Sequence, residues 1–222
     1  MQVIVDNTPP EINLARLTDS DKSFGEGAKA TLKIKQSGST ENLWTAKITD
    51  VDGKLIQNYK WENASPVDVE WNGTDSEGSI VSDGVYNYEI TATDLAGNTS
   101  EKAVISNIIY SAEKPETSIA IAGSKYFSPN GDGVLDTMNF NVSIPEPTSK
   151  VNALTSWAVD ILSKNSDKIM RNFSGKNNPP KSISFDGKAE NGEVLPEGEY
   201  TARVTARYLN GFEPEPLYSP VF

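Results

Sequence analysis

The sequence predicts an all-β chain built as two tandem β-sandwiches of one design, and three observations carry this. A sixteen-residue block occurs twice: Trp71–Tyr86 (WNGTDSEGSIVSDGVY) aligns without a gap with Phe185–Tyr200 (FDGKAENGEVLPEGEY) at an offset of 114 residues. The shared positions are structural in kind: an aromatic, Asn or Asp, Gly, then Gly78 with Gly192, Gly84 with Gly198 and Tyr86 with Tyr200. Glycine recurs where the backbone needs positive φ or close approach, so three shared glycines imply the same run of turns in both copies. Beyond each block the residues alternate. Tyr86, Tyr88, Ile90 and Ala92 are separated by Asn87, Glu89 and Thr91, and Tyr200, Ala202, Val204 and Ala206 by Thr201, Arg203 and Thr205, the period of a half-buried strand. Finally, each copy has a tryptophan on an earlier alternating stretch, Trp44 and Trp157, at an offset of 113.

An acidic residue, a glycine, one residue and a tyrosine open the long strand in both copies (Asp83-Gly84-Val85-Tyr86; Glu197-Gly198-Glu199-Tyr200). This is similar to the tyrosine corner of immunoglobulin-like sandwiches, whose phenol bonds back to nearby backbone and whose third strand brings a Trp to the centre. The fold class expected is two tandem immunoglobulin-like (fibronectin III-like) β-sandwiches. Its structural core is placed at Trp44, Trp71 and Tyr86 in the first copy and Trp157, Phe185 and Tyr200 in the second. Residues 1–10 read as strand residues of a preceding module (from Val3) followed by a stiff Asn-Thr-Pro-Pro linker. Residues 11–113 then form module 1 and residues 114–222 module 2, each of ordinary sandwich size.

In module 1 the strands are placed at Ile12–Leu17; Ala28–Lys35, with Ala30, Leu32 and Ile34 inward; Trp44–Ile48; Lys54–Trp61; Val67, Val69 and Trp71; Tyr86 onward; and Lys102–Tyr110, seven in all. Asp50-Val51-Asp52-Gly53 supplies a hairpin turn, Asp-Gly being a strong short-range signal. Module 2 repeats the order at Ser118–Ala122; Thr137–Ile144, with Met138, Phe140, Val142 and Ile144 inward; Ser156–Leu162; Lys168–Phe173; Ser182–Phe185; Gly198–Tyr208; and Leu217–Phe222.

Composition excludes several functions. A formal charge of -11 leaves no clustered cations for nucleic acid or an anionic membrane surface, and no apolar run is long enough to insert into a membrane. With no Cys and no His, disulfides, thiolate or imidazole metal sites and Ser-His-Asp or Cys-His catalysis are ruled out. Chemistry would have to rest on carboxylates, and the 31 acids are expected to lie on solvated surface rather than in apolar stretches that would raise their pKa. The chain is expected to be non-catalytic. A chain without cysteine suits an oxidising, extracytoplasmic space.

The block Trp71–Tyr86 with its continuation Asn87-Tyr88-Glu89-Ile90-Thr91-Ala92-Thr93-Asp94-Leu95-Ala96-Gly97-Asn98 resembles the Ig-like domain of the flagellar hook-capping protein (FlgD-type), a module also found in tandem in bacterial surface and secreted proteins. A second stretch, Phe127-Ser128-Pro129-Asn130-Gly131-Asp132-Gly133, is similar to a segment that opens many bacterial Ig-like repeats. Chemically, Ser128, Asn130, Asp132, Gly133 and Asp136 fall at positions 1, 3, 5, 6 and 9 of an EF-hand-like loop, which makes Ser128, Asn130, Asp132 and Asp136 candidate calcium ligands. Position 12 is Asn139 rather than a bidentate acid. The alternative reading is a tight turn whose acids bond backbone N–H groups. The resemblance implies a structural or presentation segment of a surface or secreted protein, with neighbouring domains of its own chain as partners. The alternatives are an adhesin or carbohydrate-binding module, using Tyr59, Trp61, Tyr126 and Tyr218 as a stacking face for a glycan or protein partner, and a hook-cap-like scaffold.

Overall fold

The computed structural model describes residues 5–164 and 166–222. The strand residues expected at Val3 and Ile4 lie outside the described residues. The chain divides into two compact units, one ending at Glu113 and taking in Ser149–Asn152, the other Lys114–Thr148 with Ala153–Phe222. Both are immunoglobulin-like sandwiches with a core of their own.

The first unit holds β1 (Ile12–Leu14), β2 (Ser23–Phe24), β3 (Leu32–Ile34), β4 (Gln36–Gly38), β5 (Glu41–Asp50), β6 (Leu55–Ala64), β7 (Val69–Trp71), β8 (Gly84–Thr93) and β9 (Ala103–Tyr110), with one short 3-10 turn at Gly27–Lys29. One layer runs β2-β9-β8-β5-β6; the facing layer is made by β1 with β4 and β3 with β7. The unit therefore has more strands than the seven expected, because β2 and β4 form beyond the expected opening and second strands. Ser23–Phe24 crosses to the other layer and pairs parallel with β9. The 3-10 turn takes the start of the expected second strand, so Ala30 is exposed while Leu32 and Ile34 are buried. Val67 also lies outside its expected strand and is exposed. The Asp50–Gly53 hairpin forms, with Gly53 at φ 83° and its N–H on the Asp50 carbonyl at 3.2 Å.

The second unit holds β10 (Ser118–Ile121), β11 (Met138–Ser143), β12 (Leu154–Ser163), β13 (Ile169–Gly175), β14 (Ser182–Phe185), β15 (Tyr200–Tyr208) and β16 (Leu217–Tyr218). Its layers are β10-β11-β14 and β13-β12-β15-β16. Beyond β16 the chain goes on pairing with β15 after a one-residue shift of register, with Tyr200 and Phe222 exchanging N–H to carbonyl bonds at 2.8 and 3.0 Å.

The register of the central pair is the same in both units. Trp44 faces Ala92 and Asp50 faces Tyr86; Trp157 faces Ala206 and Ser163 faces Tyr200. Yet Trp44 is fully buried and Trp157 only half-buried. The cause is where each unit has a glycine. Leu32 pairs with Trp71 and Met138 with Phe185, so six residues further on Gly38 and Ile144 occupy the same place in the facing layer. Gly38 leaves room for the Trp44 indole: a Cβ there would stand 2.6 Å from Trp44 Cζ2, and the indole N–H donates to the Ser39 carbonyl at 3.1 Å. In the second unit Ile144 is a buried core residue. Trp157 lies instead against Gly175 on the neighbouring strand, where a Cβ would stand 2.9 Å from its Nε1. The expected pairing of the two tryptophans thus holds in register and is corrected in burial.

Candidate binding surfaces

The repeated block builds the same turns in both units. The Val81 N–H donates to the Gly73 carbonyl at 2.9 Å and the Leu195 N–H to the Gly187 carbonyl at 2.8 Å. Gly73 and Gly187 take φ of 78° and 73° and Gly78 and Gly192 take 83°, values that favour glycine. The third shared glycine differs. Gly84 and Gly198 need no positive φ, and a Cβ there would make ordinary contact with the corner tyrosine at 3.7 and 3.6 Å. The Tyr86 hydroxyl donates to the Ser82 carbonyl at 2.6 Å, and the Tyr200 hydroxyl to the Pro196 carbonyl at 2.7 Å. Trp71, Tyr86, Phe185 and Tyr200 are all buried. Tyr86→Phe and Tyr200→Phe should each cost their module about 1 kcal/mol through the lost bond; denaturant unfolding reads this, and unchanged stability in both removes the corner's energetic role.

The loop after β10 gathers Ser128, Asn130, Asp132 and Asp136 into one turn. Asp136 accepts the Gly131 N–H on Oδ1 and the Gly133 N–H on Oδ2, both at 2.7 Å. Asp132 accepts the Val134 N–H at 2.8 Å and the Asn130 side-chain amide at 3.0 Å, while Asn130 Oδ1 accepts the Asp132 N–H at 3.0 Å. Ser128 takes part through its backbone: its N–H donates to the Leu135 carbonyl at 2.7 Å, and its carbonyl accepts from the Asn130 N–H at 2.8 Å. The Val134 amide, then Asn130, holds the Asp132 carboxyl below its usual range. Every carboxylate oxygen of the loop already accepts an N–H of the loop itself, and no three His, Cys, Asp or Glu side chains gather for a metal among the described residues. Calcium takes about six to eight oxygens; the two carboxylates here each accept two N–H groups of their own turn.

The four aromatics weighed as a stacking face divide between the two units. Tyr59 and Trp61 stack on each other at 6.2 Å and pack against the core of the first unit, and burial pushes the Tyr59 phenol up to about 12. Tyr126 and Tyr218, in the second unit, are 69% and 53% exposed. Tyr126 belongs to the loop and Tyr218 stands beside Arg203 on β15.

Both units instead open a groove on the outer face of the layer that contains the Trp strand. In the second unit it measures about 740 Å³ and is lined by Trp157, Ala158, Ser174, Thr205 and the Glu213–Pro216 segment. In the first it measures about 420 Å³ and is lined by Thr45, Tyr59, Lys60, Glu89 and Thr91. By register Ala158, Ser174 and Thr205 stand where Thr45, Lys60 and Thr91 stand.

Beside each groove is an ion pair that the reading of the sequence did not single out. Asp160, 4% exposed, accepts from Arg203 Nη2 at 2.8 Å and from the Asn172 amide at 2.7 Å. Hydrogen bonding to Asp160, and then to Tyr218, raises the guanidinium pKa against desolvation. In the first unit the same two positions are Lys47 and Glu89, 2.9 Å apart, with the signs exchanged. The signal was present in the repeat: Glu89 aligns with Arg203 at the block's offset, and Lys47 with Asp160 at the tryptophans' offset.

Chemically these surfaces offer hydroxyls, amides and paired charges. Besides Asp132, four carboxylates leave their ordinary pKa, and all move down. Thr18 lowers Asp21, Lys60 lowers Glu62 and Asn98 lowers Asp94, while burial alone would raise Glu89 but Lys102 and Lys47 bring it below. That direction is opposite to what a general acid needs at neutral pH.

No curated protein matches the chain. Among solved structures it is similar to the FN1–FN3 domains of chicken CNTN1, at 12% identity and TM-score 0.39, covering 95% of this chain and 65% of that one. It is also similar to a tetra-tandem repeat in the extending region of a large adhesion protein, at 13% identity and TM-score 0.31, covering 96% of this chain and 48% of that one. A third similarity, to fibronectin(III)-like modules of Clostridium thermocellum CbhA, has 11% identity and TM-score 0.39 and covers 85% of this chain and 83% of that one. The chain thus spans about two thirds and about half the length of the first two. Residues 19–95 match the family model of the FlgD Ig-like domain. The first module is thus similar to the FlgD Ig-like domain over those residues, and the second module repeats the first one's register and glycine block.

Proposed function

We propose that the two modules are a non-catalytic presentation segment of an extracytoplasmic multidomain protein, a stiff spacer that carries neighbouring domains of its own chain. One observation carries this reading. What the two copies share, the turns, the corner tyrosine and the core aromatics, serves each module's own fold, whereas around the grooves Thr45 and Lys60 give way to Ala158 and Ser174, Thr91 alone of the three recurring as Thr205, and the adjoining ion pair has its signs exchanged. A shared ligand would have kept the second set. Pro9-Pro10 and Pro115 stiffen the approaches to the modules. The absence of cysteine supports an oxidising compartment, and no helix of the described residues is long and apolar enough to cross a membrane.

The second reading, an adhesin or carbohydrate-binding module, is favoured by the larger groove with Trp157 in its wall. A glycan array probed with the labelled chain separates the two. The spacer reading expects background signal, and saturable binding to one glycan class, lost in Trp157→Ala, overturns it. A hook-cap-like scaffold is the third reading, supported by the family match over residues 19–95.

The loop at Ser128–Asp136 is read as a turn that needs no cation. Asp136→Ala should cost the second module about 2 kcal/mol, since it removes two charge-assisted N–H bonds. Millimolar calcium should leave the melting of the unaltered chain where chelator leaves it; a calcium-dependent rise that Asp132→Ala abolishes would restore the metal site.

A further inference from the structure

β6 and β13 are the end strands of their layers, and an end strand presents backbone N–H and carbonyl groups that a further strand could pair with. Both are interrupted at the same place. Ile48 pairs with Gln57 and Thr49 with Leu55, so Ile56 has no partner on β5; Ile161 pairs with Arg171 and Leu162 with Ile169, so Met170 has none on β12. Each is the extra residue of a β-bulge, which bends an edge and disturbs its ladder.

The turn of the repeated block reaches this bulge in both units. In the first, the Ser76 N–H donates to the Ile56 carbonyl at 3.0 Å, and the Gln57 side-chain amide donates to the Asp75 carbonyl at 2.9 Å. In the second, the Glu190 N–H donates to the Met170 carbonyl at 2.9 Å, and Arg171 Nη1 to the Ala189 carbonyl at 3.3 Å. All four positions correspond at the offset of the block, yet none keeps its residue: Ile56, Gln57, Asp75 and Ser76 become Met170, Arg171, Ala189 and Glu190. The bonds are retained where the side chains are not. Closure of the turn itself rests on other bonds, from the Gly78 N–H to the Asp75 carbonyl at 3.1 Å and from the Gly192 N–H to the Ala189 carbonyl at 2.9 Å. In the second unit the Glu190 carboxylate covers the edge one step further, accepting the Asn172 N–H at 3.3 Å.

We propose that the glycine block is an edge guard: its turn lies on the free edge of β6 and of β13, takes the bulge carbonyl, and keeps a second copy of this chain from adding its own edge strand there. A second copy is the fitting intruder. Two β6 strands brought together antiparallel about Trp61 would set Lys60 of each against Glu62 of the other, a complementary cross-strand pair. The guard serves modules of a spacer and modules of a binding protein alike.

Ser76 and Glu190 are the second residues of their turns, a position that accepts proline, so Ser76→Pro with Glu190→Pro keeps the turns closed and removes both N–H donors. The full chain with this pair is compared, by sedimentation velocity from micromolar to millimolar concentration, with the unaltered chain and with Ser76→Ala plus Glu190→Ala, which keeps the donors. The unaltered chain and the alanine pair should stay monomeric. The proline pair should dimerise, with an association constant about tenfold or more above theirs, the worth of one carbonyl freed to bond. Amide exchange in the dimer should slow in β6 or β13. A proline pair that melts cooperatively yet stays monomeric overturns the proposal, as does equal association of the alanine pair, protection confined to other strands, or an unaltered chain that already pairs through β6 or β13. Should the proline pair not fold, Gln57→Ala with Arg171→Ala decides by the same measurement, since it removes the side-chain bonds and leaves the block intact; dimerisation supports the guard and a monomer overturns it.

Discussion

Trp44→Ala is expected to cost the first module about 3–5 kcal/mol, and Trp157→Ala roughly half as much, although the two residues occupy the same place in the sheet. Trp44 is 0% exposed and faces Gly38 across the sandwich. Truncation would leave a ring-sized void that the two layers cannot close, because the backbones on either side are fixed by their ladders. Total stability of a domain this size is about 5–15 kcal/mol, so Trp44→Ala brings the module near its limit. Trp157 keeps part of its ring at the solvent edge against Gly175, and its removal vacates space that water can enter. Urea unfolding of both variants reads the difference. Equal costs would show that the glycine does not decide where the indole lies.

The second large effect concerns Asp160. Asp160→Ala should cost about 2–4 kcal/mol, because it leaves Arg203 and the Asn172 amide without their shared acceptor. The figure sits below the upper end of the range for a broken buried pair since 25% of the Arg203 side chain remains in water. The first module supplies the control. Lys47 and Glu89 hold the same positions with opposite signs, so the double exchange Asp160→Lys with Arg203→Glu should recover more than half of what Asp160→Ala loses. A double variant no better than Asp160→Ala would mean that the pair depends on its particular geometry rather than on complementary charge. An Asp160→Ala variant within about 0.5 kcal/mol of the unaltered chain would mean that the pair does not stabilise the fold at all.

Much of the architecture was legible from the sequence because it rests on local rules. Alternation of Met138, Phe140, Val142 and Ile144 declared a strand and its inward face, and the structure buries all four. Repetition of the glycine block at one offset declared a repeated design, since only a short list of residues tolerates the backbone of those turns. The breaks in the first unit were less legible. Ser23–Phe24 forms a strand of two residues whose only reason to be extended is the edge of β9 beside it, and nothing within two residues announces a neighbour more than eighty residues away.

The candidate sites divide along the same line. Ser128, Asn130, Asp132 and Asp136 were identified by spacing, and spacing does bring them together; whether their oxygens point at an ion or at backbone N–H groups depends on the path of the loop, which Gly131 and Gly133 at φ 80° and 86° direct. Asp160 and Arg203 lie 43 residues apart and become partners only through the register of β12 on β15. By itself the sequence determined the class of fold, the repeat and the inward faces, because strand period and turn chemistry act over a few residues. The tertiary structure alone decided which tryptophan reaches the centre and which acid meets which cation. Each of those depends on the side chain that happens to stand across the sandwich or on the next strand, and that neighbour is distant in the chain.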